Sequence, residues 1–294
     1  MAPSWPLPEN DPWSTPFAQL LMHHLELQPG DTVLDIAAGG GIPSFHLAER
    51  VGSQGMVLAV DIHQGQVLRS RSIQDRHMPW LQFEVGDMRF LPETLPHFDR
   101  ITGNLSFMFF RPNRFEALKN LVRFLKPGGQ IVLTFPSLGT FDSLWVCVDE
   151  EMKSRNLAKE RKALAEYIEE RPSANQAKKW LEELGLERVE VTEWPLEIFT
   201  GPGQDFLEHP LLRGGFLDDI YECFEDQNLA HEFMEDLSRD IGRFTPLLAQ
   251  RCAMSGFLPD QNVAGIQEHR GRHLSPDRSA EHPQSPVRAL HPAY

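Results

Sequence analysis

The stretch Thr32-Val33-Leu34-Asp35-Ile36-Ala37-Ala38-Gly39-Gly40-Gly41 leaves few folds open. Val33, Leu34 and Ile36 form a short apolar run, as a strand buried on both faces does. The turn Gln28-Pro29-Gly30-Asp31 precedes it. Ala37–Gly41 then removes nearly all side-chain volume, so the backbone can turn tightly and a ligand can touch it. Pro43 suits a first helical turn, Phe45, Ala48 and Val51 keep roughly helical spacing, and Gly52 suits a helix end. Strand, tight turn and helix in that order place a ligand over the carboxyl ends of the strands, against a helix N-terminus.

A glycine turn alone serves structure as readily as binding. Met56–Val60 adds a second buried-strand run, and it ends at Asp61. A carboxylate there can accept hydrogen bonds from both hydroxyls of a ribose. The competing reading is a cap for a helix at Gln64–His77.

The rest of the chain repeats this alternation. Leu81–Val85 alternates as a strand, Phe98–Asn104 reads as a fourth, and Arg114–Leu125 is an amphipathic helix. Leu125-Lys126-Pro127-Gly128-Gly129 reads as the turn that ends this helix, and Gln130–Phe135 as the fifth strand. Ser173–Leu184 is a helix with Ser173 and Gln176 as a capping box. Glu187–Glu193 and Pro246–Leu258 supply strands six and seven. The pattern predicts an α/β fold: a Rossmann-like, seven-stranded, mostly parallel sheet with helices on both faces. Upstream, Thr15–Leu27 reads as a helix next to the ligand pocket, with Trp13 and Phe17 as candidate covers and Phe17 better suited to the core. Residues 1–12 read as an irregular arm.

Two helical insertions, near residues 140–171 and 201–244, exceed a minimal sheet. They serve either as a lid over an acceptor pocket or as extra core and an oligomer interface, such as a homodimer's. One domain would then span residues 1–258, followed by a disordered tail at 259–294 poor in large apolar residues. The histidines of that tail lack a fixed cage for metal, and no metal site is expected.

Net charge is −14. Within residues 260–294 four acidic residues and four arginines cancel, so the folded part carries the acidity. That argues against a nucleic-acid partner. No run is long enough for a membrane span, and no secretory signal opens the chain. The three scattered cysteines, Cys147, Cys223 and Cys252, read as reduced and buried in a cytoplasmic protein.

With these pieces in place, the sequence resembles the class I S-adenosylmethionine-dependent methyltransferases. It is most similar to the quinone-biosynthesis C-methyltransferase branch, of the methyltransferase type 11 kind. Val33–Gly41 resembles the family's first motif, Val60-Asp61-Ile62 its ribose-binding strand end, and Gly86-Asp87-Met88 with Leu91-Pro92 its adenine-binding segment. Leu125–Gly129 resembles its turn into the fifth strand. Ala37 stands where many members have glycine. The resemblance implies an antiparallel last strand, S-adenosylmethionine as cofactor, and a small-molecule methyl acceptor. It implies that Asp35, Gly39 and Gly41 lie against the methionine portion and that Asp61 holds the ribose. Ile62 and Met88 would sandwich the adenine, whose amino group Asp87 would take. Asn104 and Leu105 would sit by the methionine and sulfonium.

Methyl transfer by in-line displacement asks the protein for placement and exclusion of water rather than a nucleophile. Trp13, Phe107 and Phe109 are candidate faces for a sulfonium charge. His24, His46 and His63 read better as structural, and no catalytic base is assigned. The rival readings are a nicotinamide-dependent oxidoreductase and a catalytically silent cofactor-binding or interaction protein. Gly39-Gly40-Gly41-Ile42-Pro43-Ser44 fits the dinucleotide motif only with Ser44 in place of its third glycine. Deleting residues 260–294 should leave the melting temperature nearly unchanged in a thermal scan; a large drop would show that the tail folds.

Overall fold

The computed structural model describes residues 11, 13–74, 78–209, 212–213, 216–241 and 246–260. Most of the arm at residues 1–12, the Gly214-Gly215 separator and the tail from residue 261 onward therefore lie outside the described residues. Seven strands form one sheet: β1 (Thr32–Ile36), β2 (Met56–Asp61), β3 (Leu81–Val85), β4 (Phe98–Gly103), β5 (Leu125–Pro136), β6 (Glu187–Ile198) and β7 (Leu247–Phe257). Their order is β3-β2-β1-β4-β5-β7-β6. The first five pair in parallel, and β7 runs antiparallel to both β5 and β6.

Successive residues of a strand point to opposite faces, and the core divides accordingly. Val33, Val57 and Ala59 face one side, with Leu21 and Leu25 of α1 (Ser14–His24) or beside it. Phe45 and Leu47 of α2 (Ser44–Val51) and Val67 of α3 (Gln64–Ile73) complete that layer. Leu34, Ile36, Leu58 and Val60 face the other side, against Leu118 and Leu121 of α4 (Arg114–Val122) and Ala177 and Leu181 of α7 (Ala174–Glu183). Both insertions are helical. The first gives α5 (Asp142–Ser154) and α6 (Ala158–Glu169); the second gives α8 (Gln204–Leu207), α9 (Phe216–Glu222) and α10 (Gln227–Asp240). They share a third core, which joins Trp145, Val148, Leu164, Phe216, Ile220, Phe233 and Ile241 to Leu247 and Ala249 of β7.

Several boundaries differ from the sequence expectation. Strand β5 starts at Leu125, not Gln130, because Leu125 pairs with Phe98 and the Lys126–Gly129 segment is tied to β7's end. Gly128 donates to Leu258 O, and Leu258 donates back to Gly129 O. Strand β6 continues to Ile198 because β7 pairs with it along its length. The helix expected over Gln64–His77 ends at Ile73. Asp61 does not cap it: the cap position is His63. At α7 only the Ser173 half of the capping box forms, its Oγ accepting from Gln176 N at 3.2 Å. Cys147 and Cys252 are buried, whereas Cys223 is only partly so.

The turn after β1 is fixed by a buried carboxylate. Asp35 is fully enclosed and accepts from Ser44 Oγ at 2.6 Å and Thr102 Oγ1 at 2.8 Å. Gly41 closes the turn at φ +89°, where a Cβ would lie 2.5 Å from the Phe45 ring. Gly40 beside it has open space. Gly41→Ala should therefore destabilise the protein by about 2–4 kcal/mol through positive φ and overpacking. Gly40→Ala should stay within about 0.5 kcal/mol. Chemical denaturation of the pair checks this, and equal effects would contradict the packing argument.

Burial pushes the Asp35 carboxyl up to about 6, against the two hydroxyl donors that favour its charged form. A raised carboxyl stabilises the fold fully below the unfolded value of about 4 and loses that contribution as pH rises through about 6. Asp35→Asn removes the titration. Its stability relative to the wild type should rise by about 2–3 kcal/mol between about pH 4 and pH 7. Urea unfolding at the two pH values reads the change; a difference that ignores pH would show that Asp35 does not titrate in this window.

Candidate functional site

A cavity of about 520 Å³ opens at the carboxyl ends of the parallel strands, beside the switch point where the chain order reverses between β1 and β4. Open parallel sheets place ligands there for a geometric reason: neighbouring loops leave in opposite directions and part around a crevice. Ala37 follows β1, Asp61 ends β2, Gly86 and Asp87 follow β3, and Pro136 ends β5; all of them line the cavity.

Of the residues expected to bind, Asp61, Ile62, Asp87 and Met88 line this cavity together. Asp61 is nearly buried, with Oδ2 accepting from Gly39 N and Oδ1 from His63 N, each at 2.8 Å. It therefore ties the glycine turn to the end of β2 while it faces the cavity. Each oxygen retains a second lone pair for a ligand hydroxyl. Ile62 is exposed and Met88 half-buried, so both present apolar surface to a ligand.

Asp87 is engaged by Arg89, whose Nη2 donates to Oδ2 at 2.6 Å and Nε to Oδ1 at 3.0 Å. These hydrogen bonds hold the Asp87 carboxyl below the ordinary carboxylate range. The remaining expected residues sit behind the wall. Asp35 is committed to Ser44 and Thr102. Gly39 is held by Asp61, and Gly41 packs on Phe45. Asn104 Nδ2 donates to Ser14 O, and its Oδ1 accepts from Thr134 Oγ1, which in turn accepts from Leu105 N.

Among the proposed aromatic faces only Phe109 reaches the cavity, and it is 58% exposed. Phe107 is fully buried against Phe110, Phe135 and Trp180. Phe17 is buried and meets the partly buried Trp13 edge-on, with Trp13 also against Phe141 and Phe216. The 3-10 turn Phe107–Phe110 explains the exchange: it turns Phe107 inward and Phe109 outward. His63 lines the cavity, while His24 is enclosed beside Glu190 and His46 pairs with Glu49.

The second half of the wall was not found from sequence. Arg111 and Arg114 enter from the start of α4, Tyr167 and Arg171 from the end of α6, and Phe216, Asp219 and Glu222 from α9. Tyr167 donates to the Asp219 carboxylate, and burial pushes both groups up. Arg171 is 6% exposed, and its Nη1 donates to Thr140 O at 2.9 Å. For Tyr167, Arg171, Phe216, Asp219 and Glu222 the only sequence signal is that they fall in the insertions, and Arg111 and Arg114, outside them, carry none. Arg171 and Arg111 lie far apart in the chain and meet only through the fold.

The chain's residues fit the expected cofactor. A carboxylate with spare lone pairs stands at a strand end, apolar surfaces flank it, and Cβ atoms added at Gly39 and Gly40 would meet nothing within 4 Å. That leaves room against the backbone, as a ligand's tail requires.

Comparison with known proteins places the chain in a family. The methyltransferase domain family matches residues 33–129. The ubiquinone/menaquinone biosynthesis C-methyltransferase UbiE of Ectopseudomonas mendocina is 31% identical over 175 residues, covering 55% of this chain and 68% of that protein. Methyltransferase GfsG of Streptomyces halstedii is 27% identical over 198 residues, covering 64% and 66%. Aklanonic acid methyltransferase DauC of a Streptomyces species is 34% identical over 133 residues, covering 44% and 60%. The chain thus spans less than two thirds of the length of several curated relatives. A solved structure from Bacillus halodurans shares the fold at a TM-score of 0.53 and 21% identity, covering 82% of this chain and 98% of that one. The chain belongs to the class I S-adenosylmethionine-dependent methyltransferases.

Proposed function

We propose that this protein transfers a methyl group from S-adenosylmethionine to a small organic acceptor bound in the same cavity. The observation that carries the proposal is one continuous cavity. It joins Asp61, Ile62 and Met88 at the strand ends to Tyr167, Arg171 and Phe216 of the insertions. When bound, the cofactor supplies a methyl group activated by a sulfonium.

The protein's own part is binding, orientation and exclusion of water. Asp61 accepts the two ribose hydroxyls with the lone pairs left after Gly39 N and His63 N. Ile62 and Met88 cover the faces of the adenine, and Asp87, oriented by Arg89, takes its amino edge. Gly39 leaves room for the methionine tail, and Gly41, packed on Phe45, shapes the turn from behind. Asp35 holds the turn that provides this room, acting from behind through Ser44 and Thr102. Asn104 and Leu105, fastened by Thr134, set the floor near the methionine end.

The insertions act as a lid within a single catalytic domain over residues 1–258. They wall the cavity and exclude water, which strengthens every electrostatic contact inside it. Relatives named for aklanonic acid and for quinone biosynthesis support a small organic acceptor. Among the described residues no helix is long and apolar enough to cross a membrane.

Calorimetry should show binding of S-adenosylmethionine and its demethylated product and no binding of NADH; binding of NADH alone would sink the proposal. Asp61→Ala should weaken S-adenosylmethionine binding by roughly 10–100-fold, the loss of charge-assisted hydrogen bonds to a hydroxyl pair. Unchanged affinity would reduce Asp61 to a brace for the turn.

A further inference from the structure

The cavity wall that faces the strand ends carries arginine donors that its protein partners leave unmet. Arg171 Nη2 is buried without a hydrogen-bond partner, as are Arg111 Nε and Arg114 Nε. Arg171 is more than nine-tenths buried and lines the cavity. Among the described residues it forms no ion pair. Its neighbours are aromatic: the guanidinium carbon lies 5.3 Å from the Trp145 ring centre, 5.7 Å from Tyr167 and 5.8 Å from Phe216. Arg111 sits 5.5 Å from the other ring contact of this group, Tyr167, and 3.6 Å from the exposed Glu170 carboxylate.

The acidic side chains that face these arginines are otherwise occupied or exposed. Asp219 receives the Tyr167 hydroxyl, and Glu222 and Asp142 are exposed. Arg89 on the opposite wall belongs to Asp87. A buried guanidinium with an unmet donor is costly, and an anion that enters beside it offsets that cost.

We infer that the methyl acceptor carries a carboxylate on a flat unsaturated body, with the carboxylate held by Arg171 and steered by Arg111 and Arg114. This inference rests on the methyltransferase reading for the word acceptor. The planar guanidinium fork matches a carboxylate, and the Tyr167 and Phe216 rings match a flat ring beside it. A carboxylate fits better than a phosphate because Asp219 and Glu222 share the wall, and a dianion would meet twice their repulsion.

The test uses the full chain and three probes of one shape: benzoate, benzamide and phenylphosphonate. Each is titrated by calorimetry with and without S-adenosylhomocysteine. Benzoate should bind at least about tenfold more tightly than benzamide, the loss expected when a charge-assisted hydrogen bond becomes a neutral one. Arg171→Met should bring the ratio close to one, and Arg171→Lys should retain part of it because the charge stays and the fork goes. Equal binding of benzoate and benzamide to the wild type overturns the inference without needing any variant to fold. A preference that survives in Arg171→Met overturns the assignment to Arg171. Tighter binding of phenylphosphonate overturns the choice of carboxylate. Failure of S-adenosylhomocysteine to bind sinks the methyltransferase reading alone, because the benzoate comparison is also made without it.

Discussion

Two buried carboxylates hold the ligand end of this sheet together. Asp35 joins β1 to the start of α2 through Ser44 and to β4 through Thr102. Asp61 joins the end of β2 to the glycine turn through Gly39 and to its own onward chain through His63. The turn between β1 and α2 is therefore clamped from behind and from the side. Without such clamps a run of three glycines would be a flexible loop, since glycine loses more freedom on ordering than any other residue. With them, the turn becomes a fixed surface. The two acids differ in what remains to them: Asp35 is enclosed on all sides, whereas Asp61 still faces the cavity.

That difference orders the site. In the strand-end half of the cavity the carboxylates Asp61 and Asp87 are each held by a neighbouring loop. The insertion half is built otherwise. Its helices pack around their own core of Trp145, Leu164, Phe216, Ile220 and Phe233, and reach the sheet chiefly through β7. Charge is arranged differently as well. At the strand ends Arg89 answers Asp87 within hydrogen-bond distance. Across the cavity Tyr167 donates to Asp219, and Arg171 has aromatic rings and the Thr140 carbonyl as its near partners.

Sequence reasoning found what is local. The β1 turn, the carboxylate that ends β2 and the Gly86-Asp87-Met88 segment each sit within a few residues of a strand whose apolar pattern announces it. β3 was placed at Leu81–Val85 because strict alternation fixes both ends. The start of β5 was missed because Lys126-Pro127-Gly128-Gly129 has the composition of a turn, and only the distant Leu258 holds it in the strand. Of the candidate aromatic faces Phe107 lies in the core, while Phe109 does reach the cavity. Within one 3-10 turn Phe107 and Phe110, three residues apart, share the buried side while Phe109 points elsewhere, and composition cannot choose between them. The arginine wall was illegible for the deepest reason: it has no sequence period and arises where α4, α6 and α9 converge.

The separate core of the insertions uncouples the two halves of the cavity. Substitutions at Trp145, Phe216 or Ile220 reshape the packing that positions Tyr167, Arg171 and Asp219, yet they touch neither face of the β1–β4 sheet. A change in that packing alters what the far half of the cavity admits while the clamps on the β1 turn stay as they are.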